Sequence, residues 1–91
     1  MTIEHDTDTS RFVIRLPTGN AFLAYRRESD SVLEFYSTYV PPPDRGRNIA
    51  SQLVAAGMEY VRREGLRVIP TCWYVAGWID RHPECNDLLA A

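Results

Sequence analysis

The sequence has little excess charge of either sign and contains no lysine. Its ten basic side chains are all arginines, and 12 residues are acidic, so the formal net charge is −2. Nucleic-acid binders draw most of their affinity from clustered basic side chains that neutralise phosphates. This balance therefore argues against a nucleic-acid partner.

Long apolar runs and paired cysteines are also missing. Charged residues interrupt each apolar stretch within a few positions, and no basic-then-apolar leader opens the chain, so we expect no membrane association and a cytoplasmic location. The thiols of Cys72 and Cys85 are then expected to be reduced. Together with His5 and His82 they lack the close Cys-x-x-Cys spacing of a zinc site, so no metal is expected.

What the sequence does contain is enough apolar material for one core. Hydrophobic residues make up 45% of the 91 residues and aromatic residues 11%. This length predicts a single domain over residues 1–91, with a loose lead-in at 1–10 and a short tail at 86–91. A domain this small can gain stability by pairing, so a homodimer is one expected state.

The first half of the chain carries the pattern of an antiparallel meander. Apolar and aromatic residues alternate or cluster in three segments, Arg11–Leu16, Ala21–Arg27 and Val32–Val40. Turn-forming residues separate them at Pro17–Asn20 and Ser29–Ser31. Three strands joined by short turns are therefore predicted.

The second half changes to helical spacing. Apolar residues recur every three or four positions from Ile49 to Val61, Arg62 and Arg63 occupy the last turn, and Gly65 is placed to cap the helix end. A strand over 66–71 and a second helix over 73–81 follow, the latter ended by His82-Pro83. The fold class is α+β with α/β character: a meander, then loop, helix, strand and helix, with the helices packed on a mixed sheet.

The loop before the first helix is the segment most suggestive of chemistry. The start of a helix presents unpaired N–H groups and the positive end of the helix dipole, which suit a phosphate. Gly46 would let the backbone approach the anion, and Arg45 and Arg47 would add charged donors. Solvated loop arginines beside an ordinary turn glycine explain the same residues about equally well.

Residues Arg45–Ala50 resemble the Arg/Gln-x-x-Gly-x-Gly/Ala signature of the GCN5-related N-acetyltransferases. The stretch from Arg11 to Glu84 is similar to a small single-domain subfamily that includes N-acetyltransferase domain-containing protein 1. The segments Thr71–Tyr74 and Arg81–Glu84 contribute to this likeness. The resemblance implies a minimal version of that family's fold and acetyl-CoA as the cosubstrate.

The chain departs from the subfamily at two positions. Asn48 stands where the family usually has glycine, and asparagine tolerates the left-handed conformation better than most residues. Tyr39 stands where relatives carry the glutamate of a His-Thr-Glu-Val run, so the carboxylate often suspected as general base is missing. The second departure affects catalysis more than binding.

The resemblance implies a cofactor site and candidate catalytic residues. Main-chain groups around Tyr39 and Val40 would hold the pantetheine arm, and the N–H groups of Arg45, Gly46, Arg47, Asn48, Ile49, Ala50 and Ser51 would hold the pyrophosphate. The N–H of Val40 would polarise the thioester carbonyl. Tyr74 is the candidate proton donor to the leaving thiolate, with a packing role as an equal alternative.

Two further side chains are weighed as catalytic groups. Cys72 could accept the acetyl group or form a mixed disulfide with coenzyme A, although a buried free cysteine is often only a small apolar residue. Glu34 alternates with Tyr36 and Thr38 and could face the cleft as a base acting through water; pairing with an arginine is its commoner fate. Trp73 and Trp78 are expected in the core or on the acceptor side.

Three functions remain open on the sequence. The first is an N-acetyltransferase that uses acetyl-CoA to modify a small-molecule or protein amine. The second is a module that binds acetyl-CoA or coenzyme A without turnover. The third is a small interaction domain in which the arginines of the loop are incidental.

Overall fold

The computed structural model describes residues 2–91, which form one five-stranded sheet with two α-helices. The order in the sheet is β1-β2-β3-β4-β5. The elements are β1 (Glu4–Asp6), β2 (Arg11–Leu16), β3 (Gly19–Arg27), β4 (Val32–Tyr39), α1 (Ile49–Arg63), β5 (Arg67–Pro70) and α2 (Trp73–Asp80), with 3-10 turns at Pro42–Asp44 and Pro83–Leu88. No helix within residues 2–91 combines the length and apolar character needed to cross a bilayer.

The sheet is mixed, as predicted. Strands β1 to β4 pair antiparallel in sequence order, and β5 pairs parallel with β4 after the crossover through α1. Helix α1 ends with its C-cap at Glu64, followed by Gly65 at a φ of 68°, which confirms the predicted glycine cap. The predicted mixed sheet with helices packed on it is therefore confirmed.

Both helices contribute to a single buried cluster on one face of the sheet. Phe12, Ile14, Leu23 and Phe35 face this cluster from β2, β3 and β4. Helix α1 approaches closely at Gly57, where an added Cβ would lie 2.8 Å from a methyl carbon of Leu23. A larger residue there would hold the helix away from the sheet.

The lead-in predicted as loose contains a strand. Residues Glu4–Asp6 form β1 and pair with β2. His5 stacks on Phe12 with ring centroids 4.2 Å apart, meets the edge of Tyr60 on α1, and lies 2.6 Å from the hydroxyl of Tyr25. These aromatic contacts stabilise β1. They could not be predicted from the sequence, because Glu4-His5-Asp6 is short and polar.

The predicted tail is also ordered. The Pro83–Leu88 turn buries Cys85 and Leu88 in the core. After it, the N–H of Ala90 donates to the carbonyl of Val68 at 2.9 Å, so the chain end adds to the free edge of β5. The segment closes the core beside a short edge strand instead of extending into solvent.

Strand β4 contains a bulge that changes the face of every residue after it. Ala24 pairs with Ser37 and Tyr25 with Phe35, so Tyr36 is an extra residue on β4. Before the bulge Phe35 points into the core, and after it Val40 is buried instead. A single alternating pattern through β4 therefore fails beyond Tyr36.

Candidate functional site

A cleft opens where β4 and β5 separate. Their pairing ends at Phe35 with Pro70, and β4 continues to Tyr39 while the chain turns into α2. A cavity of about 740 Å³ lies between these segments. It is lined by Thr38, Tyr39, Val40, Asp44, Arg45, Gly46, Asn48, Ile49, Ala50, Cys72, Trp73 and Tyr74.

The inner end of the cleft is held by two contacts between β4 and the start of α2. The N–H of Cys72 donates to the carbonyl of Phe35 at 3.1 Å. The hydroxyl of Thr38 lies 3.4 Å from the sulfur of Cys72. These contacts fix the thiol at the inner wall, where it is buried and still lines the cavity.

The loop that forms the outer end is anchored by a buried carboxylate. Asp44 is 6% exposed and accepts hydrogen bonds from the hydroxyl of Thr18 and from Arg47 Nη1, the latter at 2.5 Å. A buried charge is tolerated when it is paired and hydrogen-bonded in this way. Asp44 therefore ties the loop to the turn between β2 and β3.

The start of α1 presents unpaired donors to the cleft. Gly46 has a φ of 86° and Asn48, the N-cap, a φ of 65°. Within the described residues the Asn48 side chain makes no capping hydrogen bond, so the first N–H groups of the helix remain available to a ligand. Asparagine therefore adopts here the left-handed conformation in which glycine is otherwise preferred.

The two arginines of the loop point to different places. Arg45 lines the cleft, donates from Nε to the carbonyl of Val40 at 2.9 Å, and places its guanidinium 5.9 Å from the ring centroid of Tyr39. Arg47 instead forms an ion pair with Asp44. Arg45 is thus the arginine that lines the cleft, and Arg47 stabilises the loop.

Two of the three predicted catalytic residues line the cleft. Cys72 and Tyr74 line the cleft, whereas Glu34 lies outside it. The Glu34 carboxylate accepts from the Thr71 hydroxyl at 2.7 Å and pairs with Arg26 at 3.0 Å. The Thr71 hydrogen bond, aided by Arg26, holds the pKa of Glu34 below its ordinary value, which makes its carboxylate a weaker base.

Glu34 lies outside the cleft because of the bulge in β4. The alternation of Glu34 with Tyr36 and Thr38 predicts that all three share a face, but the extra residue at Tyr36 breaks the alternation. Thr38 therefore lines the cleft and Glu34 does not. This corrects the predicted position of Glu34.

The sequence comparison decides the family. The profile of the family described as GCN5-related N-acetyl-transferase matches residues 11–88. The chain belongs to this family.

Relatives and a solved structure agree with that assignment. Protein NATD1 of Danio rerio is 34% identical over 85 residues, which cover 91% of this chain and 77% of the relative. Protein NATD1 of Bos taurus is 34% identical over 83 residues, covering 89% and 74%. The solution structure of a GCN5-like N-acetyltransferase from Staphylococcus aureus matches with a TM-score of 0.74 at 17% identity, covering 99% of this chain and 88% of that one, and so supports the fold.

The residues of this member fit the cosubstrate that the family generally uses, acetyl-CoA. Of the predicted cofactor residues, Tyr39, Val40, Arg45, Gly46, Asn48, Ile49 and Ala50 line the cleft. Arg47 is bound to Asp44, and the Ser51 hydroxyl accepts from Trp78 Nε1 at 3.0 Å. The free helix donors, the positive φ values and Arg45 together form a site suited to a diphosphate.

Two lining residues, Thr38 and Asp44, were not among the predicted site residues, and the position of Trp73 was left open. Thr38 is displaced into the cleft by the bulge, which has no marker in the sequence. Asp44 follows three prolines and reads as an ordinary turn acid, although its side chain is buried. Trp73 was not separated from Trp78, yet Trp73 is exposed and Trp78 is buried against α1. Residues 2–91 contain no group of three or more His, Cys, Asp or Glu placed to hold a metal ion.

Proposed function

We propose that this protein is an acetyl-CoA-dependent N-acetyltransferase that modifies an amine. The observation that carries the proposal is one cleft whose lining joins the uncapped start of α1 to Cys72 and Tyr74. Acetyl-CoA would supply an acetyl group activated as a thioester. The residues of the protein would bind and orient the two substrates and transfer protons.

The outer end of the cleft would hold the diphosphate. The N–H groups at the start of α1 lack helical partners, and Gly46 leaves open space where a side chain would stand. Arg45 is oriented by its hydrogen bond to Val40, so less freedom is lost when it meets an anion. The exposed ring of Tyr39 and the main chain of Val40 would flank the arm that leads inward.

The inner end would carry out the transfer. We assign carbonyl polarisation to the N–H of Val40 and proton donation to the departing sulfur to the hydroxyl of Tyr74. Cys72 is the second candidate, as an acetyl acceptor, because its thiol lines the same wall beside Thr38. Glu34 is the weakest candidate, since its carboxylate is bound to Arg26 and Thr71.

A module that binds acetyl-CoA without turnover is the alternative function. It is favoured by Tyr39, which stands where the resemblance to the family implies a carboxylate, and by the hydrogen bond and ion pair that hold Glu34 outside the cleft. Both functions require the same diphosphate site. They differ only in whether an amine is consumed.

The test is calorimetric titration of acetyl-CoA and coenzyme A into the wild type, Arg45→Ala and Arg15→Ala. Arg15 pairs with Glu4 on the sheet and lies outside the cleft, so it controls for the loss of one positive charge. We expect Arg45→Ala to weaken binding about tenfold or more, because a charge-assisted hydrogen bond contributes roughly 1.5–3 kcal/mol. Arg15→Ala should bind as the wild type does.

A failure of the wild type to bind either molecule would contradict both functions. If binding is seen, thiol release and N-acetyl product are then measured with a panel of amines. Turnover that falls in Tyr74→Phe while acetyl-CoA affinity is kept supports the enzyme. Binding without turnover of any amine supports the alternative.

A further inference from the structure

Trp73 is exposed to an extent unusual for a tryptophan. It is 83% exposed, begins α2 and lines the cleft, whereas Trp78 five positions later is 5% exposed. Its aromatic neighbour is Tyr74, met edge-on with ring centroids 6.0 Å apart at 80°. An indole left in water forgoes the stabilisation that burial would bring, so a ligand that covers its face would gain that free energy.

The titratable groups of the cleft indicate what kind of amine could react. Among the described residues, those that line the cleft include no histidine and a single carboxylate, Asp44, which is bound to Thr18 and Arg47. Glu34 is outside the cleft and likewise bound. The other ionisable side chains of the lining are Arg45, Tyr39, Tyr74 and the thiol of Cys72. Within residues 2–91 the cleft therefore offers no free carboxylate or imidazole to remove a proton from an ammonium ion.

This lack has opposite consequences for two classes of amine. An alkyl amine resembles the lysine side chain, of which roughly one molecule in 2,500 is neutral at pH 7. An amine nitrogen bonded directly to an aromatic ring shares its lone pair with the ring and is already neutral at pH 7. It is a weaker nucleophile than an alkyl amine because its lone pair is delocalised, but no proton has to be removed before it attacks. Its ring can also stack on an indole.

Resting on the proposed function, we propose that the acceptor is a small aromatic amine whose ring stacks on Trp73. The acceptor nitrogen forms the new C–N bond to the acetyl carbon, and the C–S bond of the thioester breaks. The proton lost by nitrogen ends on the sulfur, through the hydroxyl of Tyr74 or solvent. The products are the N-aryl acetamide and coenzyme A, with no further reactant.

The charged residues of the cleft argue against a lysine-rich peptide as acceptor. Such a peptide would meet Arg45 at the cleft, and the cleft carboxylate Asp44 is buried and already paired. Specificity for basic peptides instead requires carboxylates that remain free to pair with them.

The test compares two isomers, 4-methylaniline and benzylamine, which contain the same atoms and differ in whether the nitrogen is bonded to the ring. Initial rates are followed by thiol release and by mass spectrometry of the acetylated product. We expect 4-methylaniline to react faster at pH 7, since nearly all of its molecules are neutral there whereas only a small fraction of benzylamine is. From pH 7 to 8 its rate should stay flat, while that of benzylamine should rise about tenfold.

Trp73→Ala and Trp73→Phe then test the stacking. Trp73→Ala should lower kcat/KM for 4-methylaniline about tenfold, chiefly through KM, and Trp73→Phe should keep most of it. A second readout needs no turnover: with coenzyme A bound, 4-methylaniline should quench part of the tryptophan fluorescence in the wild type. That part should be absent in Trp73→Phe, where Trp78 alone remains.

Calorimetry with acetyl-CoA separates the possible failures. Equal affinity in the wild type and Trp73→Ala is expected; weaker affinity in the variant would place Trp73 in the cosubstrate site and overturn the inference. Faster turnover of benzylamine or a lysine peptide would overturn it while the proposed function stands. Binding without any turnover would overturn it in favour of the binding module, and no binding would remove the proposed function itself.

Discussion

Individual residues of the cleft act through backbone conformation and hydrogen bonding more than through their charge. Asn48 adopts the left-handed backbone conformation at the helix start. Asp44 holds the loop in place through its hydrogen bond with Thr18. Arg45 and Arg47 are two residues apart, yet one lines the cleft and the other pairs with Asp44. The role of each arginine in this loop therefore depends on which group its side chain contacts.

Asn48 is the residue whose replacement tests the backbone of the site. Asn48→Gly should preserve stability and acetyl-CoA affinity, because glycine adopts a φ of 65° without strain. Asn48→Val should lower the free energy of unfolding by about 1–2 kcal/mol and weaken binding, since a β-branched residue is strained there. Urea unfolding and calorimetry measure both; equal behaviour of the two variants would contradict this account.

The elements of the fold are positioned by close contacts at a few points. Helix α1 lies on the sheet at Gly57, β1 is docked through His5, and β4 is redirected by the bulge at Tyr36. Strand β4 continues beyond the last residue of β5, and the cleft lies where the two strands are no longer paired. The short β5, which ends at Pro70, is thus part of what creates the site.

Gly57→Ala tests the contact of α1 with the sheet. Its Cβ would lie 2.8 Å from Leu23 and 3.1 Å from Phe35, both fully buried, so overpacking should outweigh the higher helix propensity of alanine. We expect a net loss of roughly 1 kcal/mol in urea unfolding. Gly77→Ala is the matched control: its Cβ meets only Arg81 at 3.5 Å, so it should stabilise α2 by up to about 1 kcal/mol. A stabilised Gly57→Ala would refute the close approach.

His5 gives the docking of β1 a dependence on pH. Burial lowers the pKa of His5, helped by the positive charge of Arg63 and opposed by Asp6. Because the unfolded chain then binds the proton more readily, stability should fall as the pH drops from 6.5 through the lowered pKa of the folded state. Carboxylates with lowered pKa values, such as Glu34 and Asp87, respond only at more acidic pH.

Unfolding midpoints between pH 7.5 and 5 measure this dependence. His5→Phe keeps the ring against Phe12 but cannot be protonated, so its stability should vary less over the same range. An unchanged pH profile in that variant would show that His5 is not the responsible group.

Within residues 2–91 the molecule has two layers, with α1 and α2 packed in one core against the same face of the sheet. The other face is shielded partly by arginines, with Arg11 stacked 4.2 Å above Phe22 and Arg26 stacked 4.0 Å above Tyr36. Small domains bury a modest share of their surface, so each terminal segment contributes noticeably to stability. The homodimer expected from the chain length stays a prediction.

Leu88 tests the contribution of the C-terminal segment. It is buried in the core, whereas its neighbour Leu89 is partly exposed. Leu88→Ala should lower the free energy of unfolding by about 2–4 kcal/mol through lost burial and a cavity. Leu89→Ala should cost less than about 1 kcal/mol, in keeping with a residue that stays in contact with water. Equal losses of stability in the two variants would contradict the conclusion that the C-terminal segment packs into the core through Leu88.

Strands β2 to β4, helix α1 with its Gly65 cap, and the family were all predictable from the amino-acid sequence. Each of these follows from short-range signals: alternation, helical spacing, turn residues, and a signature segment that survives the exchange of glycine for Asn48. Four features became visible only in the folded chain: the bulge at Tyr36, the docking of β1 through His5, the different partners of Arg45 and Arg47, and the exposure of Trp73 beside a buried Trp78. These depend on partners distant in the chain, whose contacts local patterns do not encode.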